Sequence, residues 1–216
     1  MKKCIICIDL METLISRNDK QFSVYLSKIL ELKNISYGDL TTKIRQRYIE
    51  YSFGNFHSDR DYVENLILTL ARDKNSDAMI EEISRHLLDN YWAIDGSKDF
   101  LSELKSLGYQ LYVASNFVAA WADELLKRFT LKNYFAGEFI SSDIRYRKPA
   151  CEFFEYITQT LNKSAEEMYF IGNSYVNDYL GAQKIGMSSI LLKKNNVTGE
   201  GLTYTEILAR LDEERL

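Results

Sequence analysis

The feature that most constrains this chain is an apolar run that ends in a carboxylate, Cys-Ile-Ile-Cys-Ile-Asp at residues 4–9. Five successive side chains offer water no polar face. The run therefore fits a strand buried on both sides, of the kind found in the middle of a parallel sheet. A helix would need a longer apolar period. Asp9 then stands at the carboxyl end of that strand, which is where open parallel sheets gather their ligands.

From about residue 18 to 93 the rhythm is helical. Phe22, Tyr25, Leu26, Ile29 and Leu30 recur at helix spacing, as do Leu40, Ile44, Tyr48 and Tyr51. Ser58-Asp59-Arg60-Asp61 resembles a capping box, with Asp in place of the usual Glu or Gln, ahead of Tyr62, Val63, Leu66, Ile67 and Leu70. Gly54 and Asn55 mark a loop before it. Met79, Ile80, Ile83, Leu87 and Tyr91 predict a fourth helix, and no strand is expected in this stretch. After Asp95-Gly96, short strands (111–114, 135–140, 168–171, 189–192) alternate with helices, two of them closed by Gly108 and Gly186. That alternation implies a parallel sheet. A charged helix is expected over 205–216.

With 216 residues and 46% hydrophobic content, the chain can bury a sizeable core. Its net charge of -4 argues against nucleic acid held by bulk charge, and leaves open a local basic pocket. No apolar run approaches the ~20 residues that span a bilayer, and the run before Asp9 is too short for a signal peptide. No membrane association and a cytoplasmic location are expected. Cys4 and Cys7 form a C-x-x-C, but positions three apart on a strand face opposite sides of a sheet. They and Cys151 are read as small core residues in a reducing compartment.

Several polar groups fall at equivalent places. Asp9 and Ser115 follow strands, Asn173 and Asp178 follow a later one, and Lys148 precedes a helix, beside the single proline, Pro149. A nucleophile, a hydroxyl, a cation and oxygen ligands together suit phosphoryl transfer, which needs positioning and charge neutralisation. The segments IICIDLMETL (5–14), LYVASN (111–116), SDIRYRKPA (142–150) and YFIGNSYVNDYLGAQKIGM (169–187), in this order, resemble the haloacid dehalogenase superfamily of hydrolases. The resemblance implies a Rossmann-like, three-layer α/β core with a parallel sheet (1–17 and 94–216) and an inserted helical cap (18–93). It also implies a Mg²⁺-dependent phosphatase for a small phosphorylated molecule, working through an aspartyl-phosphate. Asp9 would be the nucleophile, with Ser115, Asn116 and Lys148 on the phosphoryl group. Asp9, the backbone carbonyl of Met11, Asp178 and Asn173 would hold the metal, an oxygen set that suits Mg²⁺.

The chain departs from the family's phosphatase pattern at three positions. Met11 stands where a second Asp acts as general acid and base, Glu12 where Gly is common, and Asn173 where Asp is common. The departures keep two other readings in view: a catalytically weak protein that binds or senses phosphorylated compounds, and a metal-free dehalogenase, which the run Gly172-Asn173-Ser174-x-x-Asn177-Asp178 argues against. Ser174 and Asn177 are read as local hydrogen-bonders. Arg145 and Arg147 form a basic patch near Lys148, and Arg17 lies near the start of the insert, within reach of a substrate anion. His57 and His86 lack metal-ligand spacing. Tyr48, Tyr51, Phe53 and Trp92 are read as core of the insert.

General acid–base catalysis contributes about 10²–10⁴-fold, so its loss at Met11 should be felt most with leaving groups that need a proton. Alkyl phosphates are expected to turn over far more slowly than nitrophenyl or acyl phosphates in a steady-state leaving-group series. Met11→Asp should raise the alkyl rates, and equal rates across the wild-type series would refute the assignment.

Overall fold

The computed structural model describes residues 4–193 and 201–214. Along the chain the elements are β1 (Ile5–Ile8), β2 (Ile15–Arg17), α1 (Asp19–Ile29), α2 (Tyr37–Ser52), α3 (Asp59–Leu70), α4 (Asp77–Arg85) and β3 (Tyr91–Ala93). There follow α5 (Ser97–Ser106), β4 (Gln110–Ser115), α6 (Ala119–Arg128), β5 (Phe135–Ile140), α7 (Ser141–Ile144), α8 (Cys151–Leu161) and β6 (Met168–Gly172). A π-helical turn (Tyr175–Leu180) runs into α9 (Gly181–Gln183), and β7 (Ser188–Leu191) and α10 (Tyr204–Glu213) complete the order. The chain divides into two compact units, one of Met1–Ser16 with Trp92–Leu216 and one of Arg17–Tyr91.

In the first unit a five-stranded sheet runs β5-β4-β1-β6-β7, every neighbouring pair parallel. It is flanked by helices, an α/β arrangement with a Rossmann-like core. β1 is central because its four residues are apolar on both faces, and all four are buried. Cys7 joins a core of Tyr112, Phe139, Phe153, Phe154, Met168 and Phe170, while Ile6 and Ile8 point to the opposite face. Burial pushes the Cys7 thiol up to about 12, which keeps it a protonated, inert packing group. Elsewhere in this unit the rings of Phe100 and Tyr204 stack 4.4 Å apart and tie α5 to α10.

The second unit is built from α1–α4. Side chains of Asn18, Ser36, Ser58 and Ser76 each accept a backbone N–H at a helix start, satisfying donors that the helix itself cannot. Its buried residues include Leu26, Leu40, Val63, Leu66, Ile67, Ile80 and Ile83, with Tyr51 stacked on Tyr62 at 5.1 Å. Arg17 lies over the rings of Tyr48 and Tyr91 at 5.2 and 5.8 Å, bonds the Tyr91 hydroxyl at 3.0 Å and pairs with Asp19. Burial draws down its pKa, but Tyr91, Tyr48 and Asp19 outweigh burial and hold the guanidinium firmly charged.

Several expectations are corrected. Tyr91 does not continue the fourth helix, which ends at Arg85; it opens β3, a strand in a stretch expected to have none, and β3 pairs with β2. Three-residue strands carry too short an alternation to read from sequence. The Ser58 cap forms, but the Asp61 carboxylate reaches back to the His57 N–H, so the reciprocal half of a capping box is absent. Cys4 is exposed and Cys151 half-buried, so only Cys7 is a core cysteine. Phe53 and Trp92 are exposed and Tyr48 is half-buried, leaving Tyr51 as the buried ring of that group. The helix expected before Gly186 starts as a π turn over Tyr175–Leu180 and is α-helical only over Gly181–Gln183. The terminal helix runs Tyr204–Glu213, and residues 215 and 216 of the expected span lie outside the described residues. Among the described residues no helix is long and apolar enough to cross a membrane.

Phe154 sits fully buried on α8, edge-on to Phe170 at 5.2 Å. Phe154→Ala is expected to lower stability by about 3–5 kcal/mol, read from urea unfolding midpoints at unchanged m-value.

Candidate active site

Strand register brings the polar groups together. Ile8 lies level with Val113 on β4 and with Ile171 on β6. One residue further, Asp9 emerges beside Ser115 at the end of β4 and Gly172 at the end of β6, and its N–H bonds the Ile171 carbonyl at 2.9 Å. All of these are carboxyl ends of parallel strands. Lys148 arrives from the loop between α7 and α8, and its ammonium closes the arrangement.

Lys148 Nζ lies 2.7 Å from Asp9 Oδ1, 2.7 Å from Asp178 Oδ1 and 2.8 Å from the carbonyl of Ala114. The Ser115 hydroxyl donates to the same Asp9 oxygen at 2.9 Å. Lys148, Asp9 and Asp178 are 4, 6 and 2% exposed, so their charges act on one another through a poorly polarisable medium. The rings of Phe170 and Phe153 lie under the ammonium, at 5.0 and 5.9 Å. Burial works to neutralise Lys148, but Asp178 and Asp9 outweigh it and raise its pKa, so it stays protonated. Asp178 is pushed up to about 6, chiefly by burial and with Asp9 adding to it, against the pull of Lys148.

The segment after β6 shapes the far wall. Both Asp178 N and Tyr179 N point at the Ser174 carbonyl, at 2.9 and 3.1 Å, the widened ring of a π turn. Asp178 Oδ2 accepts the Ser174 N–H at 2.8 Å. Gly172 is required here: a Cβ on it would come within 2.4 Å of Asp178 Oδ2. Asp178 Oδ1 is buried and faces the Lys148 ammonium at 2.7 Å.

Two contributors were missed from sequence. The Thr13 hydroxyl, fully buried, lies 3.2 Å from Asp9 Oδ2 and 3.2 Å from Asn173 Oδ1. The Tyr204 hydroxyl on α10 donates to the Thr13 carbonyl and anchors the loop after β1. A hydroxyl four residues after Asp9 was a signal for Thr13; nothing local marked Tyr204, which is 191 positions away. The loop closes on itself through Glu12 N to Ile15 O at 2.7 Å and Leu14 N to Leu10 O at 2.9 Å.

Asp9, Ser115, Lys148, Asn173 and Asp178 thus meet in one place. Met11 follows on the same loop, half-buried. Asn116 is adjacent, but its side-chain amide is engaged with the backbone of Lys148, so that amide is not turned to a ligand. Glu12 is exposed, in the left-handed region at φ 58°, and accepts the Ser16 hydroxyl at 2.8 Å. Arg17 belongs to the helical unit with its own partners. The Ser174 side chain caps the turn through Asn177 N. His86 pairs with Asp89 and Glu82 at the surface.

The oxygens suit a hard divalent cation. Two buried carboxylates face one ammonium, leaving one negative charge in excess. One Thr13 proton cannot serve both Asp9 Oδ2 and Asn173 Oδ1. Among the described residues no group of three or more His, Cys, Asp or Glu gathers, so any cation here would rest on the two carboxylates with amide and backbone oxygens.

The model of the haloacid dehalogenase-like hydrolase family matches residues 9–192. The chain is 32% identical to glyceraldehyde 3-phosphate phosphatase of Methanothermobacter thermautotrophicus over 114 residues, half of each chain. It is 26% identical to pyrimidine 5'-nucleotidase PynA of Streptococcus pneumoniae over 88% of its own length and 77% of the relative's. The chain spans about half the length of that first phosphatase and of the putative hydrolase YfnB of Bacillus subtilis. The magnesium-bound crystal structure of YfnB shares the fold, with a TM-score of 0.70 at 21% identity, covering 98% of this chain and 100% of that one. The enzyme bt-2542 of Bacteroides thetaiotaomicron superimposes with a TM-score of 0.74 at 19% identity, over 91% and 96% of the two chains.

Lys148→Met would leave the Asp9 and Asp178 carboxylates facing each other without a counter-charge. It is expected to cost about 3–5 kcal/mol. Lys148→Met with Asp178→Asn should recover part of that loss, both measured by urea unfolding in the presence of a chelator.

Proposed function

Because the chain belongs to the haloacid dehalogenase-like hydrolase family, we propose that it is a Mg²⁺-dependent phosphohydrolase of small phosphorylated metabolites in which Asp9 attacks phosphorus. The observation that carries this reading is the shared grip on Asp9: the Ser115 hydroxyl at 2.9 Å and the Lys148 ammonium at 2.7 Å converge on one carboxylate oxygen. These are a donor and a cation placed where an incoming phosphoryl group would need them. Its similarity to a glyceraldehyde 3-phosphate phosphatase and a pyrimidine 5'-nucleotidase supports a small phosphorylated substrate.

In the proposed first step the Asp9 carboxylate forms a bond to phosphorus, and the bond from phosphorus to the leaving oxygen breaks with its electron pair. Water then adds to the aspartyl-phosphate, releasing phosphate and restoring Asp9. Lys148 pairs with the Asp9 carboxylate beforehand and neutralises charge on the phosphoryl oxygens afterwards. Ser115 passes its hydrogen bond from the carboxylate to the phosphoryl group. Asp9, Asp178, Asn173 and the Met11 carbonyl would hold Mg²⁺, which supplies charge neutralisation at the phosphoryl oxygens when bound. The excess negative charge among the buried groups supports that role.

No general acid is offered by the loop after β1. Met11 cannot carry a proton, and Glu12 is held at Ser16 by a left-handed backbone and a hydrogen bond. Substrates whose leaving groups depart as weak bases are therefore favoured. The same two residues support a second reading, a protein that binds a phosphorylated compound and turns it over slowly. The run Gly172-Asn173-Ser174-x-x-Asn177-Asp178 weighs against a metal-free dehalogenase. The helical unit, Arg17–Tyr91, is proposed as the cap that selects the substrate.

Asp9→Asn is expected to abolish release of nitrophenol from p-nitrophenyl phosphate, a loss of at least about 10³-fold set by removal of the nucleophile. Chelation should abolish it in the wild type, with recovery on adding Mg²⁺. Binding of phosphate analogues with no turnover at any Mg²⁺ concentration would favour the second reading.

A further inference from the structure

Lys148 touches three acceptors through its ammonium, yet no helix or strand holds its backbone. It lies in the loop that joins α7 to α8, between Arg147 and Pro149. A long side chain on a free loop would not keep Nζ within 2.7 Å of two buried carboxylates, because such a chain loses about 2 kcal/mol of rotamer entropy when fixed. Something must hold the backbone in place.

The structure identifies what does. The side-chain amide of Asn116 makes two hydrogen bonds to Lys148, both at 2.9 Å: Nδ2 donates to the Lys148 carbonyl and Oδ1 accepts the Lys148 N–H. An adjacent strand would offer a residue the same donor and acceptor. Asn116 directly follows Ser115, so the clamp fixes Lys148 against the residue that shares Asp9 Oδ1 with it. The loop is closed by Ala150 N to Arg147 O at 3.0 Å. From the other side α9 presses in, because Gly181 has no side chain: a Cβ there would meet Phe154 at 2.8 Å and Pro149 Cα at 3.2 Å. The turn carrying Asp178 runs directly into α9. The Lys148–Pro149 segment is thereby gripped between the end of β4 and the Asp178 segment.

We infer that Asn116 is a positioning residue, which acts through Lys148 and sets the distance of its ammonium to Asp9 and Asp178. For turnover this rests on the reading of Asp9 as the nucleophile; for geometry it does not. Asn116 therefore differs from Ser115 and Lys148, which would touch the phosphoryl group themselves.

The test uses the full chain and two independent readouts. In ¹H–¹⁵N spectra tuned to lysine ammonium groups, Lys148 should give a solvent-protected Nζ resonance, assigned by its disappearance in Lys148→Met. Asn116→Ala should broaden that resonance beyond detection or speed its exchange at least about tenfold, as expected for an ammonium no longer held by fixed acceptors. Asn116→Asp, nearly isosteric and still able to accept the Lys148 N–H, should give an intermediate change and covers the case in which the alanine variant fails to fold. An unchanged Lys148 resonance in either folded variant overturns the inference. In turnover of p-nitrophenyl phosphate, Asn116→Ala should lower kcat about 10²-fold with little change in KM, a loss typical of a catalytic group misplaced by about 1 Å. In a Lys148→Met background the same substitution should cost nothing more, whereas full additivity would overturn the inference. Absence of wild-type turnover would defeat the proposed function alone, because the spectroscopic result stands without it.

Discussion

The Lys148 ammonium is the constraint on which the rest of this site depends. A buried cation is tolerated only when paired and hydrogen-bonded. Here it has Asp9, Asp178 and the Ala114 carbonyl within 2.8 Å. Those partners come from the ends of β1, β4 and the turn after β6, so the ion cluster can exist only if the sheet is assembled in the order observed. Conversely, once the sheet forms, two carboxylates are brought together that would repel without the lysine between them. Fold and charge cluster each require the other.

Local backbone geometry refines this. A regular α-helix after β6 would not give the ring in which Asp178 N and Tyr179 N share one carbonyl. The π turn swings the Asp178 carboxylate back over Gly172, where only a missing Cβ leaves space. On the opposite wall, the loop after β1 is pinned by Tyr204 from the far end of the chain. Asn116 and Gly181 close the remaining side. Each device sits outside the charge cluster and reduces the freedom of a group within it, the kind of restraint that preorganises an electrostatic site.

The departures at Met11, Glu12 and Asn173 leave the architecture intact. The loop keeps its turn and its hydrogen bonds with methionine in place of a proton carrier. Asn173 retains an oxygen directed at Thr13 while withdrawing one negative charge. The proposed outcome is a phosphoryl site with its positioning and charge neutralisation in place and its proton transfer missing, a division that favours weakly basic leaving groups.

Much of this could be read along the chain. The uninterrupted apolar run before Asp9 determined a central strand buried on both faces. The helix-spaced Leu, Ile and Tyr residues determined the helical segment, and the order of the polar signatures singled out Asp9, Ser115, Lys148, Asn173 and Asp178. Periodicity is a local property, and these signals are local. Tertiary structure alone decided the roles of Thr13 and Tyr204, the engagement of Asn116 with Lys148, the π turn and the short pair β2 and β3. Hydrogen bonds between residues 32 to 191 positions apart leave no periodic trace, and a three-residue strand is too brief to show one. What the side chains do to one another is settled by distance in space, which only the packed sheet defines.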